Sequence, residues 1–193
     1  MLTLSNRNQV TIGLVLVLMM VATRGHHFAT LSHLPSASWA VFFLAGFYLR
    51  SSWTLPGFLA LSWILDFASF TWGGGSGFCL TQAYVFLLPA YSALWFSGHW
   101  YAKQYRFEWR TLMPFVGAVL LGSVVCSLFS SGGFYFFSGR FVETSSVEFA
   151  GRLIKYYPSY LQSLVFYVGI AAVIHTFIAL TLDTANQKKS TIK

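Results

Sequence analysis

Six apolar runs follow one another along this chain with only short polar breaks, at residues 12–22, 39–49, 55–70, 80–96, 112–129 and 160–182. Allowing for interfacial flanks, each supplies the roughly 20 residues that cross a bilayer as a helix. The sequence is 56% hydrophobic and 9% charged, with a mean hydropathy of +0.62 over 193 residues. The expected fold is therefore all-α and integral to the membrane: six transmembrane helices in one domain, residues 1–193, with no room for a separate soluble domain. The first run is short and reaches spanning length only if it begins near Asn8. Arg7 and the apolar centre behind it imitate a signal peptide. Thr23-Arg24-Gly25-His26-His27 follows where a small-x-small cleavage site would stand, so the run is read as a mature span.

The formal net charge of +7 would suggest nucleic acid in a soluble chain. Here the basic residues gather at span ends, and the aromatics lie in apolar runs rather than in basic grooves, so no nucleic-acid partner is expected. With the N-terminus in the cytoplasm, the inner segments carry Arg7, Arg50, Lys103, Arg106, Arg110, Lys188, Lys189 and Lys193. The outer ones carry Arg24, Arg140, Arg152 and Lys155. Eight against four places both termini inside. Trp39, Trp53, Trp95, Trp100, Tyr101, Tyr105 and Trp109 fall near span ends, as interfacial aromatics do. Phe134-Tyr135-Phe136-Phe137 lies in a long fifth connection, residues 130–157, read either as a lid over an apolar ligand or as a loop resting on the bilayer. Pro35 and Pro56 open the second and third spans, while Pro89 and Pro114 are placed as kinks in the fourth and fifth. Gly73-Gly74-Gly75-Ser76-Gly77 is the sharpest break; with no Lys-Ser/Thr pair after it, it is not a phosphate loop.

The few polar residues at membrane depth carry the functional information. Asp66 lies about one turn from the outer end of the third span, and His26, His27 and His33 lie in the first outer connection. Cys79 follows the glycine loop, with Gln82 and Tyr84 about a turn further on. Separate segments thus deliver a carboxylate, imidazoles, a thiol and a phenol to one side of the bundle. A carboxylate in an apolar run costs several kcal/mol unless it is paired or faces a wet cavity, and an ion pair with Arg24 is the structural alternative to a ligand role. Cys126 lies mid-run and reads as a small buried hydrophobe. A disulfide between the two cysteines is not expected. Cys79, at the expected start of a span, is the better thiolate, since a helix N-terminus favours the anion. A thiolate is a soft donor suited to a transition metal. One Cys with nearby His does not complete a tetrahedral site, but it can fill one axial position on a metal already held by a macrocycle.

Thr23-Arg24-Gly25-His26-His27-Phe28, Leu65-Asp66 and Gly77-Phe78-Cys79-Leu80-Thr81-Gln82-Ala83-Tyr84 together resemble the BtuM group of bacterial cobalamin transporters. That group is similar to solitary substrate-binding (S) components of energy-coupling-factor transporters. The resemblance extends over the whole chain and implies an S-component-like bundle in the bacterial inner membrane. It further implies a cobalamin or related corrinoid as the transported ligand, bound in an outward-facing pocket, with no prosthetic group of the protein's own. By the same resemblance Cys79 is the axial cobalt ligand, and His27, Asp66 and Tyr84 line the pocket. The group is also associated with removal of cyanide from cyanocobalamin through the cysteine, which would give Cys79 a chemical role. The first span, Thr11-Ile12-Gly13-Leu14-Val15-Leu16-Val17-Leu18, lacks the Ala-x-x-x-Ala pair on which many S components dock an energising module. This departure points to a solitary transporter, or one that borrows a module. A second reading from another class is a membrane thiol oxidoreductase using Cys79 and Cys126 with a quinone; a third is a scaffold subunit without a ligand, which leaves Asp66 unexplained.

Overall fold

A computed structural model of the chain describes residues 4–24, 35–72 and 82–191. Among them six α-helices follow in order: α1 Asn6–Arg24, α2 Ser38–Tyr48, α3 Thr54–Trp72, α4 Leu87–Gln104, α5 Leu112–Phe137 and α6 Ser146–Thr191. Short 3-10 turns at Gln82–Phe86 and Trp109–Thr111 lead into α4 and α5. Three stretches, Thr54–Thr71, Trp109–Phe137 and Ser146–Thr181, are long and apolar enough to cross a membrane. Trp63, Ile64 and Phe67 on α3, Leu121 on α5 and Val173 and Phe177 on α6 are exposed, an apolar surface suited to lipid. α1 begins Asn-Arg-Asn-Gln and ends in Arg24, and α4 ends in Lys103 and Gln104; these ends dilute their apolar centres.

α2 has the opposite character. Its 11 residues cover about 16 Å at 1.5 Å each, roughly half of a ~30 Å hydrocarbon layer. Every residue from Ser38 to Gly46 is buried. α1, α3, α4 and α6 all pack against α2, and its all-round apolar sequence reflects protein neighbours. The contact with α4 is backbone to backbone. A Cβ on Gly46 would overlap the Trp95 carbonyl, and one on Gly98 would overlap the Phe43 carbonyl. The two glycines therefore set the helix separation, as small residues do where helices cross closely. Beside them Phe42 stacks on Tyr91 at 4.4 Å between ring centres, and Leu94 and Leu164 complete the core. Hydrogen bonds fix the start of α2: the Ala37 N–H donates to Thr23 Oγ1 at 3.1 Å, and the Tyr167 hydroxyl donates to the Pro35 carbonyl at 2.7 Å.

Several boundaries differ from the sequence expectation. The fifth connection is not an aromatic loop: α5 runs on to Phe137 and α6 begins at Ser146, so only residues 138–145 are non-helical and Phe134–Phe137 form the last turn of α5. Gly132 and Gly133, just before the aromatic stretch, are packing notches within α5. A Cβ on Gly133 would collide with the Phe86 ring, and one on Gly132 would stand 3.4 Å from Phe149. Pro89 and Pro114 are each the third residue of their helices, where the N–H has no intrahelical partner, so they do not kink mid-span. Pro158 is the interior proline, in α6, where it leaves the Ile154 carbonyl without its helical donor. At 46 residues α6 measures about 69 Å, more than twice the ~30 Å hydrocarbon thickness, so it extends well beyond it.

The two ends of the bundle are chemically distinct. At one, the Arg50 N–H donates to Gln9 Oε1 at 3.1 Å and Tyr48 meets His175 at 3.2 Å. This end gathers the start of α1, the end of α2 and the later part of α6. At the other, the last residue of α1 meets the first of α2 and the later part of α3.

Candidate functional site

That second end holds the most concentrated polar group among the described residues. Arg24, the last residue of α1, turns its guanidinium across the end of the bundle. Its Nε donates to Asp66 Oδ1 and its Nη2 to Asp66 Oδ2, both at 2.7 Å. The rigid fork of arginine matches a carboxylate in this two-bond geometry. Nη1 donates to Ser38 Oγ at 2.9 Å and to the Tyr91 hydroxyl at 3.0 Å. Four of the five guanidinium N–H donors are thus engaged. Tyr84, in the turn before α4, donates its hydroxyl to Asp66 Oδ2 at 2.8 Å. The side chains of Arg24 and Asp66 are only 10% and 21% exposed. The guanidinium also stands 5.5 Å from the centre of the Tyr91 ring.

Burying a carboxylate without compensation is strongly unfavourable, and the pattern of partners follows from that. Asp66 accepts three charge-assisted or hydroxyl bonds and returns a single negative charge to a single positive one. The cluster is neutral as a unit and draws α1, α2, α3, the turn at Gln82–Phe86 and α4 together. One Nη2 hydrogen of Arg24, a remaining acceptor site on Asp66 and the lone pairs of the Tyr84 oxygen can still meet a ligand.

Of the residues singled out in the sequence, the structure brings Asp66 and Tyr84 into direct contact, and Asp66 adopts the pairing with Arg24 given above as the structural alternative. His26, His27, His33 and Cys79 lie outside the described residues. The α-helix of the fourth run starts at Leu87 rather than residue 80. A helix-end field is confined to about one turn, so it does not supply the thiolate argument made for Cys79. Cys126 is a free cysteine with 0% exposure inside α5. Among the described residues no group of three or more His, Cys, Asp or Glu side chains could hold a metal ion.

Ser38 and Tyr91 were not anticipated as partners; a serine and a tyrosine inside apolar runs carry no distinguishing pattern. His175 was also passed over. It sits in α6 at the opposite end, with Nε2 2.8 Å from the Tyr105 hydroxyl and Nδ1 3.2 Å from the Tyr48 hydroxyl. A neutral imidazole has one donor and one acceptor nitrogen, so one tyrosine donates and the other accepts. Burial, and then the adjacent Tyr101, push the Tyr105 phenol up from its ordinary range. This trio borders a cavity of about 450 Å³. An imidazole within an apolar run was the available signal.

No model of a known protein family and no curated protein matches the chain.

Proposed function

We propose that this protein is a six-span membrane transporter of the S-component type that captures cobalamin or a related corrinoid at the Arg24–Asp66 end and mediates its uptake. The observation that carries the reading is the neutral polar cluster of Arg24, Asp66 and Tyr84, set in the end of an all-helical, apolar bundle from which the two motif segments depart. His27 is three residues beyond Arg24, and Cys79 three residues before Gln82. The sequence resemblance to the BtuM group supplies the ligand class.

In this reading Cys79 gives its sulfur to the cobalt of the arriving corrinoid, a soft donor for a transition metal. Tyr84 and the spare Arg24 hydrogen meet the amide rim, and His27 approaches from the first connection. Asp66 acts at one remove: it holds the Arg24 and Tyr84 side chains in place before the ligand arrives, which lowers the ordering cost of binding. The basic residues of the other end, Arg7, Arg50, Lys103, Arg106 and Arg110, set that end and both termini toward the cytoplasm by the positive-inside rule. By the resemblance to the BtuM group the membrane is the bacterial inner membrane. The thiol oxidoreductase alternative gains nothing from Cys126, which exchange partners reach only if α5 opens.

The test is to purify the protein from cells grown with cobalamin and record its visible absorption. Corrinoid bands in stoichiometric amount support the proposal. A bound quinone with a redox-active Cys79–Cys126 pair supports the oxidoreductase. A colourless protein that also takes up no added cobalamin refutes the transport reading.

A further inference from the structure

The cavity at the basic end is long rather than round. Its lining on α6 runs from Val168 to Leu180, a rise of about 18 Å along the helix. Its walls include Phe43, Phe115 and Val168, and the connection between α4 and α5 lines its mouth with Arg106, Glu108 and Trp109. The volume of about 450 Å³ lies in the range of ligand sites, about 300–1,000 Å³, and the mainly apolar walls with a few convergent polar groups are typical of them. The polar groups are graded by depth. Tyr48, Tyr105 and His175 form a hydrogen-bonded belt, and charge appears only at the mouth.

Arg106 and Glu108 balance within the lining, and the net positive charge comes from Lys103 and Arg110, which flank the mouth. The segment around the mouth carries Lys103, Arg106 and Arg110 against Glu108 alone, and all four side chains are exposed. Among the described residues Arg106 has no carboxylate partner within ion-pair distance. Trp109 is 90% exposed and Met113 82%, an aromatic and an apolar side chain where a bilayer's headgroup layer would meet the cavity.

We infer that this cavity is a site for one anionic phospholipid, drawn from the leaflet at the basic end, with an acyl chain along α6 and the phosphate at Arg106. An elongated apolar slot with a polar belt and a cationic rim matches an amphiphile's own order of chain, ester and phosphate. Basic pockets between spanning helices take anionic headgroups for the same electrostatic reason. A planar ring system would leave most of the 18 Å length unfilled. The site is at the other end of the bundle from the Arg24–Asp66 cluster and does not depend on what that end binds.

The test is native mass spectrometry of the full chain, delipidated and then titrated with mixed micelles of phosphatidylglycerol or phosphatidylcholine of matched chains. The expected result is one retained phosphatidylglycerol, held more tightly than phosphatidylcholine. Arg106→Gln lowers phosphatidylglycerol affinity about fivefold, as one basic residue near an anionic surface contributes, and leaves phosphatidylcholine unchanged. Ala172→Trp, on an exposed position of the α6 wall, fills the slot and abolishes retention of both lipids, while circular dichroism confirms that the helices persist. Equal retention of the two lipids by the wild type overturns the inference, as does unchanged retention in Ala172→Trp. Displacement of the lipid by inorganic phosphate alone also overturns it, since the chain would then contribute nothing.

Discussion

Replacing Asp66 with asparagine keeps the side-chain shape but removes the charge that compensates Arg24. In the wild type the carboxylate accepts from Arg24 Nε, Arg24 Nη2 and Tyr84. Asparagine has one acceptor oxygen, so whichever way the amide turns its NH2 faces an arginine N–H, donor against donor. Arg24, 10% exposed, is left without its counter-charge. Two unit charges about 4 Å apart attract by about 4 kcal/mol at an effective dielectric of about 20, and removing one partner of a buried pair costs about 3–5 kcal/mol. At about 2–4 °C per kcal/mol for a chain of this size, the melting temperature should fall by about 6–20 °C. The assay is thermal unfolding of the purified, ligand-free protein in one detergent, followed by tryptophan fluorescence. Asp66→Leu, Arg24→Met and the double variant Arg24→Met/Asp66→Leu form a double-mutant cycle, and the double variant should recover much of the loss seen in Asp66→Leu, because it buries no lone charge. An Asp66→Asn protein melting within about 2 °C of wild type would refute the reasoning. So would a double variant as unstable as the sum of the singles.

Gly98→Ala places a methyl group into the Phe43 carbonyl; overpacking of this kind costs about 1–3 kcal/mol or more, so the variant should melt earlier or fail to accumulate in membranes, whereas Gly57→Ala, which meets nothing, should not. Glu148 and Arg152 form an ion pair one turn apart on α6 with half-exposed side chains; solvent screens such a pair, so Glu148→Gln should leave the melting curve nearly unchanged in the same assay. Cys126→Ser puts a hydroxyl into a fully buried site and should cost about 1–3 kcal/mol while leaving the spectrum of any bound corrinoid untouched, which one melting curve and one absorption scan decide.

The helical character and the membrane setting were legible because six apolar runs of helical length leave few other solutions. Run length alone does not say whether a helix faces lipid or protein. Residues 39–49 read as a span like the rest, yet α2 is short and enclosed, and its neighbours become visible only once Gly46 and Gly98 are seen in contact. Likewise Ser130-Ser131-Gly132-Gly133 has the composition of a loop, but glycine is also what a helix needs where Phe86 presses on its backbone. At the site, the pairing of Asp66 with Arg24 was foreseeable because a carboxylate in an apolar run requires a counter-charge. Ser38, Tyr91 and His175 were not, since each looks like an ordinary core residue until a partner from a distant part of the chain reaches it.

The central claim, that Cys79 receives a corrinoid at the Arg24–Asp66 end, is tested most directly by the visible spectrum of corrinoid bound to wild-type and Cys79→Ser protein. Serine keeps nearly the same volume but is a harder donor with a far higher pKa. The account predicts a thiolate-ligated spectrum for the wild type that reverts in Cys79→Ser to that of the free corrinoid. An unchanged spectrum in Cys79→Ser, or no bound corrinoid in the wild type, would contradict it.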